Sequence, residues 1–392
     1  MKIWDFIFPE GKEIIIWGAG KNGLMWFNTL VSMDKKIKCF FDKNAKQKEV
    51  KNGIQCLKPI EQKKFQGKYI VLISPISNVN EIYLQAKQYG FEEIIIGNMI
   101  KFIPNDKNIL MDNMFSGFGH FYSLYPDLIN LQTQYQTVQK YAVSNNQADG
   151  IDLNKEKQTQ LLYEMNKMFD SRIKWADIND LAESNYRYRI HNQAYPINDA
   201  LVLHFLLRIL KPKNLIEVGS GYSSAVTLDT CENFLENINL TFIEPYPTTF
   251  FSLLKEKEKN SIMMIEKNLQ DVQLDVFRKL EDGDVLFIDS THVSKFGSDV
   301  NYLFFNILPV LKSGVIVHLH DIFYPWEYSL DWIKKGMGWN ELYLLRSFLQ
   351  YNNKWKILFF SSFMEKECFE MYNDDWKKID GFFSGSFWMQ KQ

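Results

Sequence analysis

Short apolar runs, each followed by a glycine turn or polar cluster and then by helix-spaced apolar positions, recur in two separate parts of the chain. That is the pattern of buried parallel strands alternating with crossover helices. In the first part, 13–17 reads as a strand, Gly18-Ala-Gly-Lys-Asn-Gly23 as a glycine turn, 24–32 as a helix, and 38–41 as a strand ending at Asp42. Strands at 69–74 and 93–96, with an amphipathic helix near 79–89 between them, complete a small parallel sheet. The rhythm stops between 104 and 185. There, aromatic and Gln-rich stretches at 115–139 and a helical run at 155–169 predict a helical connector, with 144–150 as its flexible point. From 215 onward the alternation resumes, with strands expected at 215–218, 240–244, 263–266, 284–289, 314–320, 355–360 and 384–389, and helices at 298–311 and 341–351. The fold class is therefore α/β, with two doubly wound domains at 1–103 and 186–392 joined by a helical connector at 104–185. The second sheet has seven strands and ends in an antiparallel edge pair.

Composition narrows the function classes. A chain of 392 residues with 46% apolar content can build two full cores. Its net charge of −2, without a concentrated basic surface, argues against a nucleic-acid partner. Cys39, Cys56, Cys231 and Cys368 lie far apart, without disulfide or metal-ligand spacing, and read as reduced thiols of a cytoplasmic protein. No apolar stretch resembles a signal peptide or approaches the roughly 20 residues of a membrane span. Self-association into a homo-oligomer stays open.

The stretch around which the rest is organised is Asn214 to Ser224. Its apolar strand stops at Gly219-Ser220-Gly221, and a helix begins near Tyr222, so backbone N–H groups and a helix N-terminus would face a nucleotide-like ligand. Glu217, a carboxylate inside that strand, demands hydrogen-bond donors. In open α/β sheets the ligand lies at the carboxyl ends of the strands. Glu244, which ends the second strand, could accept both hydroxyls of a ribose. Asn268, Gln270 and Asp271 follow the third strand and suit the edge of an adenine. The fourth strand ends in Asp289-Ser-Thr-His292 and the fifth in His318-Leu-His320-Asp321, with His318 and His320 on one face of their strand. Tyr186 to Tyr195, rich in hydrogen-bonding side chains, reads as either a lid or a solvated loop. Phe323 to Tyr328 could stack on a sugar ring or close the core. Trp339, Asn340 and Glu341 could contact substrate, and Asn340 could cap a helix.

These motifs carry a resemblance. Glu217-Val-Gly-Ser-Gly221, Glu244, Leu286-Phe-Ile-Asp-Ser-Thr-His292 and Val317-His-Leu-His-Asp-Ile322 resemble Rossmann-like S-adenosylmethionine-dependent methyltransferases, in particular a bacterial subgroup of polysaccharide and natural-product clusters. The resemblance spans about 186–392 and includes Ser298-Asp-Val-Asn301 and Trp339-Asn-Glu341. It implies S-adenosylmethionine held by Gly219, Ser220, Gly221, Glu244, Gln270, Asp271 and Asp289, with Glu217 near the methionine end. Related metal-dependent sugar O-methyltransferases imply a magnesium ion on carboxylates at these strand ends and a histidine base, here His292 beside Asp289. Asp289 and Asp321 depart from that pattern, since neither has an adjacent acid, and His292, His318 and His320 could instead favour zinc or manganese, with Asp289, Asp321 and His320 the candidate metal donors. The implied acceptor is a hydroxyl of a small molecule, nucleotide sugar or glycan.

The first domain resembles short Rossmann-like domains fused to bacterial sugar-modifying and polysaccharide-biosynthesis enzymes. Gly18, Gly20, Gly23 and Asp42 are its candidate nucleotide or nucleotide-sugar site. Two rival functions remain: a nicotinamide-dependent oxidoreductase or epimerase working through that domain, and a non-catalytic scaffold of a polysaccharide pathway. The first lacks a Tyr-x-x-x-Lys pair after the glycine turn.

Overall fold

The computed structural model describes residues 11–46, 50–59, 69–74, 79–91, 94–96, 131–144, 150–180, 185–192, 194–255, 262–379 and 383–392, together with Phe8, Pro126 and Glu258. The chain forms two compact units, Met1–Pro126 and Asp127–Gln392.

The first unit holds a six-stranded sheet of β1 (Glu13–Trp17), β2 (Ile37–Phe41), β3 (Val50–Lys51), β4 (Ile54–Leu57), β5 (Tyr69–Ile73) and β6 (Ile94–Ile96) in the order β3-β4-β2-β1-β5-β6. All neighbours are parallel except β3 and β4, a hairpin too short to show in the apolar pattern. Strand alternation explains why both faces are covered. Ile14 and Ile16 pack with Trp26 and Leu30 of α1 (Lys21–Ser32), while Ile15 and Trp17 pack with Ala86 of α2 (Val79–Gln88).

In the second unit all seven expected strands form: β7 (Asn214–Val218), β8 (Asn239–Ile243), β9 (Met263–Ile265), β10 (Val285–Ile288), β11 (Ile316–Leu319), β12 (Trp355–Phe360) and β13 (Phe387–Lys391). Their order is β12-β13-β11-β10-β7-β8-β9. β13 runs antiparallel to both β11 and β12, so the last strand is inserted beside the parallel set instead of hanging at its edge. β7 and β10 lie at the centre, and the strand order reverses between them, which is where a doubly wound sheet opens a ligand crevice.

The helices of this unit are α3 (Leu131–Ser144), α4 (Lys155–Met168), α5 (Ile197–Leu210), α6 (Tyr222–Phe234) and α7 (Glu341–Leu349), with shorter ones between. α5 is buried on nearly every side, as its almost unbroken apolar sequence requires. α4, expected in a connector, is built onto the sheet. Its buried Gln158 donates to the Leu153 carbonyl and accepts from Phe360 N–H at 2.7 Å, and Leu161, Leu162 and Met165 join the main core. All four cysteines are buried thiols. Among the described residues no helix is long and apolar enough to cross a membrane.

In the segment leading into α5, Arg187 and Tyr188 are buried against α6, while His191 and Ala194 are exposed. Asp229 on α6, wholly buried, accepts from the N–H groups of Arg187 and Tyr188, from Arg187 Nη1 at 2.8 Å and from Trp175 Nε1 at 3.0 Å. These donors replace the water that the carboxylate gave up on burial. Arg187 keeps Glu232 and Glu258 as partners, but removing the Asp229 carboxylate leaves the Arg187 and Tyr188 N–H groups and Trp175 Nε1 without their acceptor, so Asp229→Ala should lower stability by about 2–4 kcal/mol. Urea unfolding followed by tryptophan fluorescence checks this. A loss below about 1 kcal/mol would mean that the pair is not what holds the segment.

Candidate active site

The site is built on strand ends that touch. Gly219 leaves β7 with φ +82°, and a Cβ there would lie 1.6 Å from the Asp289 carbonyl oxygen. The chain's own backbone therefore requires this glycine, independently of any ligand. Gly221 differs. Its backbone is extended, and a Cβ would meet nothing within 4 Å, leaving open space before the N-terminus of α6.

Glu217, beneath that turn, is wholly buried. Oε1 accepts from Ser223 Oγ and Ser224 Oγ, each at 2.7 Å, while Oε2 has no partner. Burial pushes its carboxyl up to about 8, and the two serine hydroxyls offset that only in part. Ser220 Oγ is likewise buried without a partner.

A cleft of about 400 Å³ opens beside this turn, lined by Gly219, Glu244, Tyr246, Asn268, Gln270 and Asp289 among others. Glu244 Oε1 accepts from the Tyr246 N–H at 2.9 Å, which fixes the carboxylate at the rim. Gln270 donates to the Gly297 carbonyl at 2.7 Å, tying the third-strand segment to the loop after β10. Asp271, expected among the cofactor ligands, is exposed, accepts from Asn268 Nδ2 and does not line the cleft. The short turn after β9 points it outward.

Asp289 joins this cleft to a row of buried charges. His292 Nε2 lies 3.5 Å from Asp289 Oδ1 and 3.6 Å from Asp321 Oδ2, and its Nδ1 meets Glu341 Oε2 at 3.0 Å. His320 Nδ1 lies 3.3 Å from Asp289 Oδ1 and 3.6 Å from Asp321 Oδ2, and its Nε2 lies 3.4 Å from Asp199 Oδ2. The two carboxylates thus sit between two imidazoles, with Glu341 and Asp199 at the outer ends.

Burial alone would lower both histidines. The carboxylates outweigh it, raising His292 to about 10 through Asp289 and Glu341, and His320 well above the usual range through Asp321, Asp289 and Asp199. Burial would likewise raise Asp289, but His320 and His292 hold it far below the ordinary carboxylate range. Asp321 is raised, mainly by burial.

His318 does not join them. It stacks on Phe287 with centroids 3.9 Å apart and bonds Ser386 Oγ at 3.1 Å, and burial holds it neutral, well below its usual value. The metal donors Asp289, Asp321 and His320 do meet, but among the described residues no group of three or more His, Cys, Asp or Glu is arranged to hold a metal ion. Asp289 Oδ1 and Asp321 Oδ2 each lie 3.3 to 3.6 Å from both His292 Nε2 and His320 Nδ1, so each carboxylate is matched by imidazole.

Asp199 was marked by no sequence motif, and Glu341 was read only as a possible substrate contact within Trp339-Asn-Glu341. Asp199 carried a signal, being an acid inside a helix otherwise almost entirely apolar. Glu341 sits in the first turn of α7, where an acid is ordinary dipole chemistry, so its contact with His292 did not show. Asn340, the expected cap, instead brackets the loop after β10: its Oδ1 accepts from Ser294 N–H at 2.6 Å and its Nδ2 donates to the Ser294 carbonyl. Trp326 and Tyr328 are buried and close the core.

In the first unit, Asp42 does reach the glycine turn, but its oxygens accept from Ala19 N–H and Asn44 N–H, both at 2.9 Å. A Cβ on Gly23 would lie 1.8 Å from the Gly18 carbonyl oxygen, so the turn's own packing accounts for that glycine. Gly20 faces open space.

A family described as a methyltransferase domain matches residues 216–322. The matched span holds the strand-end residues from Glu217 to Asp321 and leaves out Asp199, Glu341 and the whole first unit. An uncharacterized protein of Archaeoglobus fulgidus is 29% identical over 167 residues, which make up 42% of this chain and 73% of that one. Two solved structures are also similar. One is an SAH-bound methyltransferase of Podospora anserina, at 16% identity and TM-score 0.33, covering 69% of this chain and 99% of that one. The other is the O-methyltransferase TomG of Streptomyces achromogenes in complex with SAM, at 14% and 0.31, covering 60% and 88%. Scores this low carry no argument of their own.

The buried Glu217 yields a pH prediction. Its carboxyl takes up protons more readily in the fold, at about 8, than in the unfolded chain at 4.5. It therefore contributes stability that is fully present below 4.5 and lost as pH rises through 8. Glu217→Gln removes that dependence. Urea midpoints without ligand should show the variant gaining on the wild type between acidic and mildly alkaline pH; a constant difference would contradict the assignment.

Proposed function

We propose that the second unit is an S-adenosylmethionine-dependent methyltransferase that methylates a hydroxyl of a sugar, nucleotide sugar or glycan. The observation that carries this reading is Asp289, which both lines the strand-end cleft and anchors the charged row around His292. A cofactor in the cleft and an acceptor beside His292 would then meet at one point.

The buried, unpartnered oxygens of Glu217 and Ser220 and the open space at Gly221 fit a ligand with hydrogen-bond donors and a close backbone approach. Bound there, S-adenosylmethionine would supply a methyl group on a cationic sulfur. Glu244, with one oxygen fixed by Tyr246, offers the other to the ribose hydroxyls. Asn268 and Gln270 lie along the base side of the cleft. Asp289, held ionised, gives the cationic ligand a counter-charge. His292 takes the acceptor proton through Nε2, the nitrogen turned away from Glu341. Without ligand His292 is protonated at neutral pH, and a cation placed at Asp289 competes for that carboxylate and drives the imidazole proton off. The donor set does not fit a metal ion, and no step uses one. The sugar acceptor rests on the resemblance of both domains to polysaccharide enzymes. For the first unit we favour a structural role, because Asp42 is committed to its own turn.

Isothermal titration with S-adenosylmethionine should give micromolar binding, weakened at least about tenfold in Glu244→Ala by loss of the ribose contacts. Equal affinities would remove Glu244 from the site, and no binding at all would overturn the reading. In a methyl-transfer assay with labelled cofactor and a panel of sugars and nucleotide sugars, the rate should rise with pH. Its limb should lie above the ordinary histidine value of 6.5 and no higher than about 10. His292→Gln should be slow at every pH; an unchanged profile would show that another group is the base.

A further inference from the structure

The start of α7 grips His292 from three sides. The Asn340 and Glu341 N–H groups donate to the His292 carbonyl at 3.0 and 3.2 Å, the Glu341 carboxylate takes Nδ1 at 3.0 Å, and the Trp339 ring packs on the imidazole with centroids 4.5 Å apart. His292 needs such a grip, because its backbone sits in the left-handed region at φ +60°, where a residue with a Cβ stays only if its surroundings hold it. Glu341 is wholly buried in a helix turn where an exposed acid would serve the helix dipole equally well, and its Oε1 has no partner. A carboxylate with one partner in that position costs stability, so packing alone does not account for it.

We propose that Glu341 is the positioning residue of His292, holding the Nδ1 proton so that Nε2 is the nitrogen vacated toward the acceptor. Distance separates the two ring nitrogens. Only the Glu341 contact has hydrogen-bond length, while Asp289 and Asp321 stand 3.5 and 3.6 Å from Nε2. When the imidazolium gives up one proton, the Nδ1 proton is retained by its carboxylate, and Nε2 turns into an acceptor facing Asp289 and Asp321. Trp339 closes one ring face, and the twin N–H bonds to the carbonyl stop the loop from rotating the ring away. The role rests on the reading that His292 takes the acceptor proton. It brings into the site a segment that lies outside the span matched by the methyltransferase family.

The test uses the full-length chain labelled with 15N-histidine, with the His292 signals identified by their loss in His292→Gln. In the wild type saturated with S-adenosylhomocysteine, His292 should show a protonated Nδ1 with a far-downfield, slowly exchanging proton. In Glu341→Gln that proton should move upfield or vanish, and Glu341→Asp should restore part of it. Methyl transfer in Glu341→Gln should fall by about 10–100-fold, with cofactor affinity within about twofold of wild type. Should Glu341→Gln fail to fold, Glu341→Asp carries the same comparison, through a longer and weaker contact. His292 signals unchanged in the variant would overturn the proposal. A His292→Gln variant that transfers methyl at the wild-type rate would instead overturn the base assignment, and the Glu341→Gln spectrum would still decide the positioning claim.

Discussion

Charges taken out of water must find partners, and this constraint organises the second unit. Four carboxylates, Asp199, Asp289, Asp321 and Glu341, and two imidazoles, His292 and His320, lie together with little solvent access. Isolated, each would cost several kcal/mol, and an apolar core of the same volume would be the more stable choice. Alternation of sign makes the arrangement tolerable: every carboxylate faces an imidazole. Assembling the row requires α5, the ends of β10 and β11, and the start of α7 to arrive at one place. Most of the close approaches in the unit follow from that demand. Gly219 passes against the Asp289 carbonyl, Asn340 brackets Ser294, and Ser384 donates to Asp199 behind His320.

A row with two more formal negative charges than positive, when both imidazoles are protonated, is poised to receive a cation. Asp289 lines the cleft beside it, so a cationic ligand there would meet a carboxylate that both imidazoles share. Its arrival would also redistribute protons, because His292 holds its own only through the carboxylates that the ligand would share. On the proposed reading, binding and activation of the base would become one event. This links the costly burial of charge to a chemical use and explains why the cluster sits at strand ends, where backbone geometry is fixed by the sheet.

Much of this was legible in the chain. Strands such as β7, β10 and β12 are apolar runs bounded by turn residues, and their ends place Glu217, Glu244, Asp289, His292, His320 and Asp321 without further information. What was not legible depended on contacts distant in sequence. Which of His318 and His320 joins the site is decided by Phe287 on β10 and by Ser386 just before β13, and alternation along one strand cannot show that. Asp199 and Glu341 reach the row from the first turns of two helices, and neither helix's own sequence shows that they meet His320 and His292. The inserted position of β13 was equally hidden, since an apolar run does not announce its neighbours. Arg187 and Tyr188, in the stretch read as either a lid or a solvated loop, are packed inward because Asp229, more than thirty positions later, supplies the acceptor their backbone needs.

The most direct test of the central claim is a crystal structure of the full-length chain with S-adenosylhomocysteine. The account predicts the ribose on Glu244 and the sulfur at the Asp289 end of the cleft, facing the His292 side chain with Glu341 still on Nδ1. A cofactor bound away from Asp289, or a His292 ring turned out of the row when the cofactor is present, would contradict it.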